Sequence, residues 1–189
     1  MTAATLTRPA RIVYTGRDAR IRVLLPRVVA AIRAEGLDLP DTTLSTKIGP
    51  ANLDRGMLAA VRMATGQHDG DPVPPTTPIG PWAADRSGGA VTTPAWRGSA
   101  EIVLDRAMTA RMPEDDVIRL LGHHLVHAAQ LHAAGPAWVG AAAHHIGLKA
   151  LSPQWVARRR DQLAADELAA QALVPAIAGR VRDEIPTLF

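Results

Sequence analysis

A helix-rich α+β fold with a small sheet follows from three features of the sequence. Apolar residues recur at helical spacing over several long segments, short β-prone runs stand at Thr42–Ile48 and Ala100–Asp105, and aromatic residues are scarce. With 47% hydrophobic but only 3% aromatic residues, Ala, Val, Leu and Ile must fill the core, which suits close helix contacts better than a large β-sandwich. A chain of 189 residues of this hydrophobicity buries one core, so a single domain is expected over 10–189, preceded by a polar tail at 1–9.

In chain order, the apolar stretch Ile12-Val13-Tyr14 leads into a first helix over Ile21–Glu35. Val23, Leu24, Val28, Val29 and Ile32 mark it, with Pro26 placed in a first turn and Gly36 as the stop. Thr42–Ile48 alternates weakly as a strand. Asn52 or Asp54 then caps a helix running through Met57, Val61 and Met63 to Gly66. Pro72, Pro74, Pro75, Pro78, Pro81 and Pro94 forbid a long helix between 67 and 99. That segment reads as a long loop, a lid over a site or a disordered stretch, with a short strand at Ala90–Thr93. Ala100–Asp105 reads as a strand. Pro113 fits a first helical turn, and Glu114–Leu131 forms a helix with Val117, Leu120, Leu121 and Leu125 as its apolar stripe. Gly135-Pro136 closes it, Trp138–Leu151 forms the next helix, and Ser152-Pro153 opens a third from Trp155 to about Leu173. Pro175 is expected to stop that helix, leaving one short final helix in VPAIAGRVRDEIPTLF.

Composition narrows the chemistry. With no cysteine there is neither a disulfide framework nor a thiolate metal site, so a bound metal depends on His and carboxylate ligands. The formal charge is +3, and Lys47 and Lys149 are the only lysines. The arginines are scattered and the one tight run, Arg158-Arg159-Arg160, falls in a helix, where it reads as a solvated face rather than a nucleic-acid surface. MTAATLTRPARIV lacks the apolar run of a signal peptide, and no stretch approaches the roughly 18 apolar residues of a membrane span. A soluble, cytoplasmic protein is the simplest expectation.

The candidate site lies in LLGHHLVHAAQ, residues Leu120–Gln130. Residues four apart on a helix stack on one face, so His123 and His127 can direct a ring nitrogen at one ion, as in HExxH zinc sites. In those sites the residue after the first histidine is a glutamate that exchanges the proton of the metal-bound water. Here that residue is His124, whose imidazole can act as a base near neutral pH but differs from a carboxylate in charge and shape. Joint coordination by His124 is disfavoured, because neighbouring helical residues diverge by about 100°.

The run AEIVLDRAMTARMPEDDVIRLLGHHLVHAAQ resembles zincin metallopeptidases of the gluzincin kind, in which an edge strand precedes the metal helix, and is most similar to the ImmA/IrrE-like family. That family follows the metal helix with E-A-N/D-x-F-A-x-x-L-L-M-P, whose glutamate is the third zinc ligand. This chain has Ala164-Ala165-Asp166-Glu167-Leu168-Ala169-Ala170-Gln171-Ala172-Leu173-Val174-Pro175. Aligned on the closing proline, Asp166 takes the Asn/Asp position and Leu168 the Phe position, while the ligand glutamate becomes Ala164. The resemblance covers about residues 100–176 and implies a zincin-like fold whose two functional carboxylates have been replaced.

The third ligand is then expected from Glu167, one turn from Ala164, with Asp161, His144 and His145 as alternatives. His132 falls one position short of the third metzincin histidine. Together these imply a zinc-dependent, metallopeptidase-like protein acting on a peptide or protein, its activity weakened or altered by His124. The alternatives are a catalytically inactive zincin-fold protein that binds a partner and a nucleic-acid-associated helical protein. Two histidines and a carboxylate also suit iron, manganese or nickel.

Overall fold

The computed structural model describes residues 9–67, 89–145 and 147–183. Four strands form one mixed sheet in the order β1-β2-β4-β3. Strands β1 (Ile12–Tyr14), β2 (Thr42–Lys47) and β4 (Ala100–Asp105) run parallel, and β3 (Ala90–Pro94) pairs antiparallel with β4 at one edge. The helices are α1 (Ala19–Ala34), α2 (Pro50–Thr65), the single turn α3 (Arg106–Thr109), α4 (Glu114–Ala134), α5 (Pro136–His145) and α6 (Pro153–Asp183). The fold is therefore mixed α and β, as expected, with helices on both faces of the sheet.

Alternation along the strands explains the layering. Ala100, Ile102 and Leu104 point to one face, where they join Leu44, Ala90 and the apolar stripes of α1, α4 and α6. Val103 and its partner Val91 point to the other face, against Leu53, Met57 and Val61 of α2 and Trp138, Ala141 and Ala142 of α5. A sheet covered on both faces needs near-continuous apolar strands, and β4 is buried from Ile102 to Asp105. The strand preceding the candidate metal helix in sequence is thus interior, and the edge position belongs to β3.

Several element boundaries differ from the sequence reading. Helix α1 starts at Ala19, capped by the Asp18 carboxylate on Arg20 N–H, so Pro26 lies inside the helix rather than in its first turn. Its ring is exposed, and Leu24, Leu25, Val28 and Val29 around it stay buried. Packing of that stripe offsets the lost backbone bond. Helix α2 starts at Pro50 behind Gly49, not at a cap provided by Asn52 or Asp54. Pro113 is the N-cap of α4, just outside its first turn, and Glu114, Asp115 and Asp116 place negative charge at its positive end. Helix α5 ends at His145 instead of continuing to Leu151. Gly147 takes a φ of 85°, Leu148 folds back to donate to the Ala143 carbonyl, and Leu151 N–H donates to His144 Nδ1.

The largest correction concerns α6. Pro175 does not end it; the helix continues to Asp183 with Pro175 inside. The missing N–H would face the solvent side, since Gln171, Ala172, Pro175 and Ala176 are exposed. On the opposite side Val174 is buried, and Ile177, Ala178 and Val181 pack into the α1 and α4 layer. Arg180 pairs with Glu35 at 2.7 Å and Arg182 with Asp115 at 3.3 Å, tying this last stretch to α1 and α4. Of the long loop expected at 67–99, residues 68–88 lie outside the described residues, and the rest forms β3 and a short turn at Trp96–Gly98. Most of the expected tail and the end of the chain also lie outside them. Among the described residues no helix is long and apolar enough to cross a membrane.

Candidate metal centre

The site forms where α4 and α6 cross antiparallel. Gly122, one residue before His123, lets the helices approach: a Cβ there would stand 3.3 Å from Ile177 Cγ2. With the backbones this close, a glutamate on the neighbouring stretch of α6 reaches the histidine face of α4. His127 Nε2 lies 3.0 Å from His123 Nε2 and 3.0 Å from Glu167 Oε2, and His123 Nε2 lies 3.5 Å from the same carboxylate oxygen. The three side chains are 15–27% exposed, open enough to exchange an ion and buried enough to hold their rotamers.

These separations suit a shared cation. Tetrahedral zinc with ligand bonds of about 2.0–2.1 Å sets its ligand atoms roughly 3.3 Å apart, and the three distances here, 3.0, 3.0 and 3.5 Å, bracket that value. Two neutral imidazoles and one carboxylate also match the donor preferences of zinc and its neighbours in the first transition series. Burial, then the nearby His127, push the His123 pKa below its ordinary value, with Glu167 opposing. The neutral imidazole, the form that binds metals, is thereby favoured.

Glu167 is thus the carboxylate brought to the histidine pair. Ala164, the position the resemblance assigns to a glutamate, is exposed one turn earlier on α6. Asp161, His144 and His145 do not join this cluster. His144 instead holds the backbone after α5, and His132 faces Asp38 at 3.6 Å. Arg158 and Arg160 are exposed, whereas Arg159 lies over the rings of Trp155 and Trp138, at 4.9 and 5.8 Å.

His124 turns toward the sheet. It is 2% exposed, and its Nδ1 lies 2.8 Å from the hydroxyl of Thr92 on β3, which is also 3.2 Å from the His124 carbonyl. Its ring centroid is 5.2 Å from that of His123 and 6.2 Å from that of His127, beside the cluster but outside the coordinating set. Burial above all, with smaller contributions from His123 and His127, pushes its pKa well below the ordinary histidine value. The neutral imidazole is thereby favoured.

Three residues beyond the sequence reading complete the surroundings. Gln130 contacts His127 Nδ1 at 2.7 Å and the Asp166 backbone carbonyl at 2.8 Å. Gln171 donates to Glu167 Oε1 at 2.6 Å. Each glutamine sits three or four residues from its ligand on the same helix, a spacing that could have flagged it. The third is Thr92, whose bond to His124 spans 32 positions and has no local signal. No protein-family model matches the chain, and no curated protein or solved structure matches it.

Proposed function

We propose that this protein is a zinc-dependent, metallopeptidase-like protein acting on a peptide or protein, with activity weakened or altered because a histidine stands where a carboxylate base is expected. The observation that carries this reading is the convergence of His123 Nε2, His127 Nε2 and Glu167 Oε2 from two helices within 3.5 Å. A divalent metal held there supplies Lewis acidity toward a carbonyl and a water of lowered pKa. His123, His127 and Glu167 would hold it. His124, whose Nδ1 contacts the Thr92 hydroxyl, stands at the sequence position of the base, and a neutral imidazole can accept a proton.

A second reading, a catalytically inactive zincin-like protein that binds a partner, is favoured by the burial of His124. A ring 2% exposed and bonded to the edge strand resembles a structural histidine as much as a base. Peptide hydrolysis by the zinc-loaded protein separates the two readings. The enzyme reading expects slow cleavage of an unfolded protein substrate, abolished in His127→Ala and raised in His124→Glu, since a well-placed general base contributes about 10²–10⁴-fold. Zinc binding without cleavage, in both wild type and His124→Glu, refutes the peptidase reading and leaves the binding module.

A further inference from the structure

The side chain of Gln130 lies between α4 and α6, and its two contacts decide which end of its amide faces which partner. The Asp166 backbone carbonyl can only accept a hydrogen bond, so the atom 2.8 Å from it is the NH2 group. The amide oxygen therefore faces His127 Nδ1 at 2.7 Å, and since that oxygen also only accepts, Nδ1 carries the hydrogen. In the neutral imidazole, which has one N–H, Nε2 then presents its lone pair. That lone pair points to the place shared with His123 Nε2 and Glu167 Oε2. The opposite tautomer would set a nitrogen lone pair 2.7 Å from the Gln130 oxygen and put a hydrogen where the ion belongs.

Without a cation, the arrangement is awkward. A lone pair on Nε2 would face a carboxylate oxygen 3.0 Å away, two acceptors in contact in a partly buried site. Glu167 Oε1 meanwhile receives the Gln171 amide, which leaves Oε2 as the oxygen turned to the cluster. Histidine metal ligands are generally oriented by an acceptor on the far ring nitrogen, and here a glutamine fills that place.

We propose, building on the metal-centre reading above, that Gln130 is a positioning residue of that centre. It relays the Asp166 carbonyl of α6 to His127 on α4, holds the imidazole as the Nδ1–H tautomer, and aims Nε2 at the ion. Because Asp166 immediately precedes Glu167, the same amide couples the placement of ligands from two helices.

Two measurements test this role. Long-range 1H–15N spectra of the metal-free protein at pH 8, with 15N-labelled histidine, read the tautomer of His127; competition with a chromophoric chelator reads the zinc affinity. Wild type is expected to show His127 in the Nδ1–H form. Gln130→Ala is expected to mix in the other tautomer and bind zinc roughly 10–100-fold more weakly, with a thermal midpoint close to wild type. Gln130→Glu keeps an acceptor on Nδ1 and is expected to retain the wild-type tautomer. If wild type binds zinc and Gln130→Ala changes neither tautomer nor affinity, this inference fails while the metal centre stands. If wild type takes up no zinc, the metal-centre reading fails and the role of Gln130 toward an ion falls with it.

Discussion

Thr92→Val tests how the edge strand is joined to the histidine helix. Thr92 is 3% exposed and His124 2%, and the hydroxyl lies 2.8 Å from Nδ1. Valine keeps the shape but removes the oxygen, so a buried ring nitrogen loses its partner where water has little access. An orphaned buried polar group costs about 1–3 kcal/mol, and the His124 carbonyl, already in the helix ladder, adds little. The expected loss is therefore about 2 kcal/mol, which for a chain of this size lowers the thermal midpoint by roughly 4–8 °C. Urea denaturation of the metal-free protein measures it, with an unchanged slope against denaturant showing that the native state stays compact. Pairing the change with His124→Leu removes the orphan, and the double variant should recover stability relative to the sum of the single changes. A Thr92→Val protein within about 0.5 kcal/mol of wild type, the usual spread for uninvolved sites, would refute the contact as a stabilising tie.

Other consequences follow from the same structure. Folding holds His124 and His123 below their ordinary pKa, chiefly through burial. The unfolded chain then binds more protons than the folded one below pH 6.5. Stability of the metal-free protein should therefore fall as pH drops through and below 6.5, by at most about 1.4 kcal/mol per pH unit for each histidine. Urea midpoints between pH 8 and pH 5 check this, and His124→Leu should flatten the slope; rising stability toward acid would contradict it. Pro175→Ala restores a backbone donor inside a continuous helix. It should stabilise the protein by roughly 1–2 kcal/mol, the gain in the ladder exceeding the loss of proline's restraint on the unfolded chain. A lower thermal midpoint would argue that α6 breaks at that position.

The site was more legible in the sequence than the fold around it. His123 and His127 are four apart on a strongly periodic helix, and Glu167 was the leading third ligand because a long carboxylate stood one turn from the expected place. Local spacing carries that information, since helix geometry turns it directly into shared faces. Strand order and the position of β3 at the sheet edge depend on contacts between distant segments, which no local pattern encodes. Pro175 misled for a related reason: its penalty is local, whereas the burial of Val174, Ile177, Ala178 and Val181 that outweighs it is tertiary. The family motif closes on the same proline, which here lies inside α6. Gln130 was visible as a residue but silent as to role, because its meaning comes from the Asp166 carbonyl 36 positions away.

The proposed metal centre joins His123 and His127 of α4 with Glu167 of α6. Metal content of untagged protein, measured after incubation with zinc and removal of excess, addresses it directly. One zinc per chain in wild type, lost in His123→Ala and His127→Ala and weakened in Glu167→Ala while all three variants remain folded, is the predicted result. A stably folded wild type that retains no zinc, or one whose zinc survives all three substitutions, would contradict it.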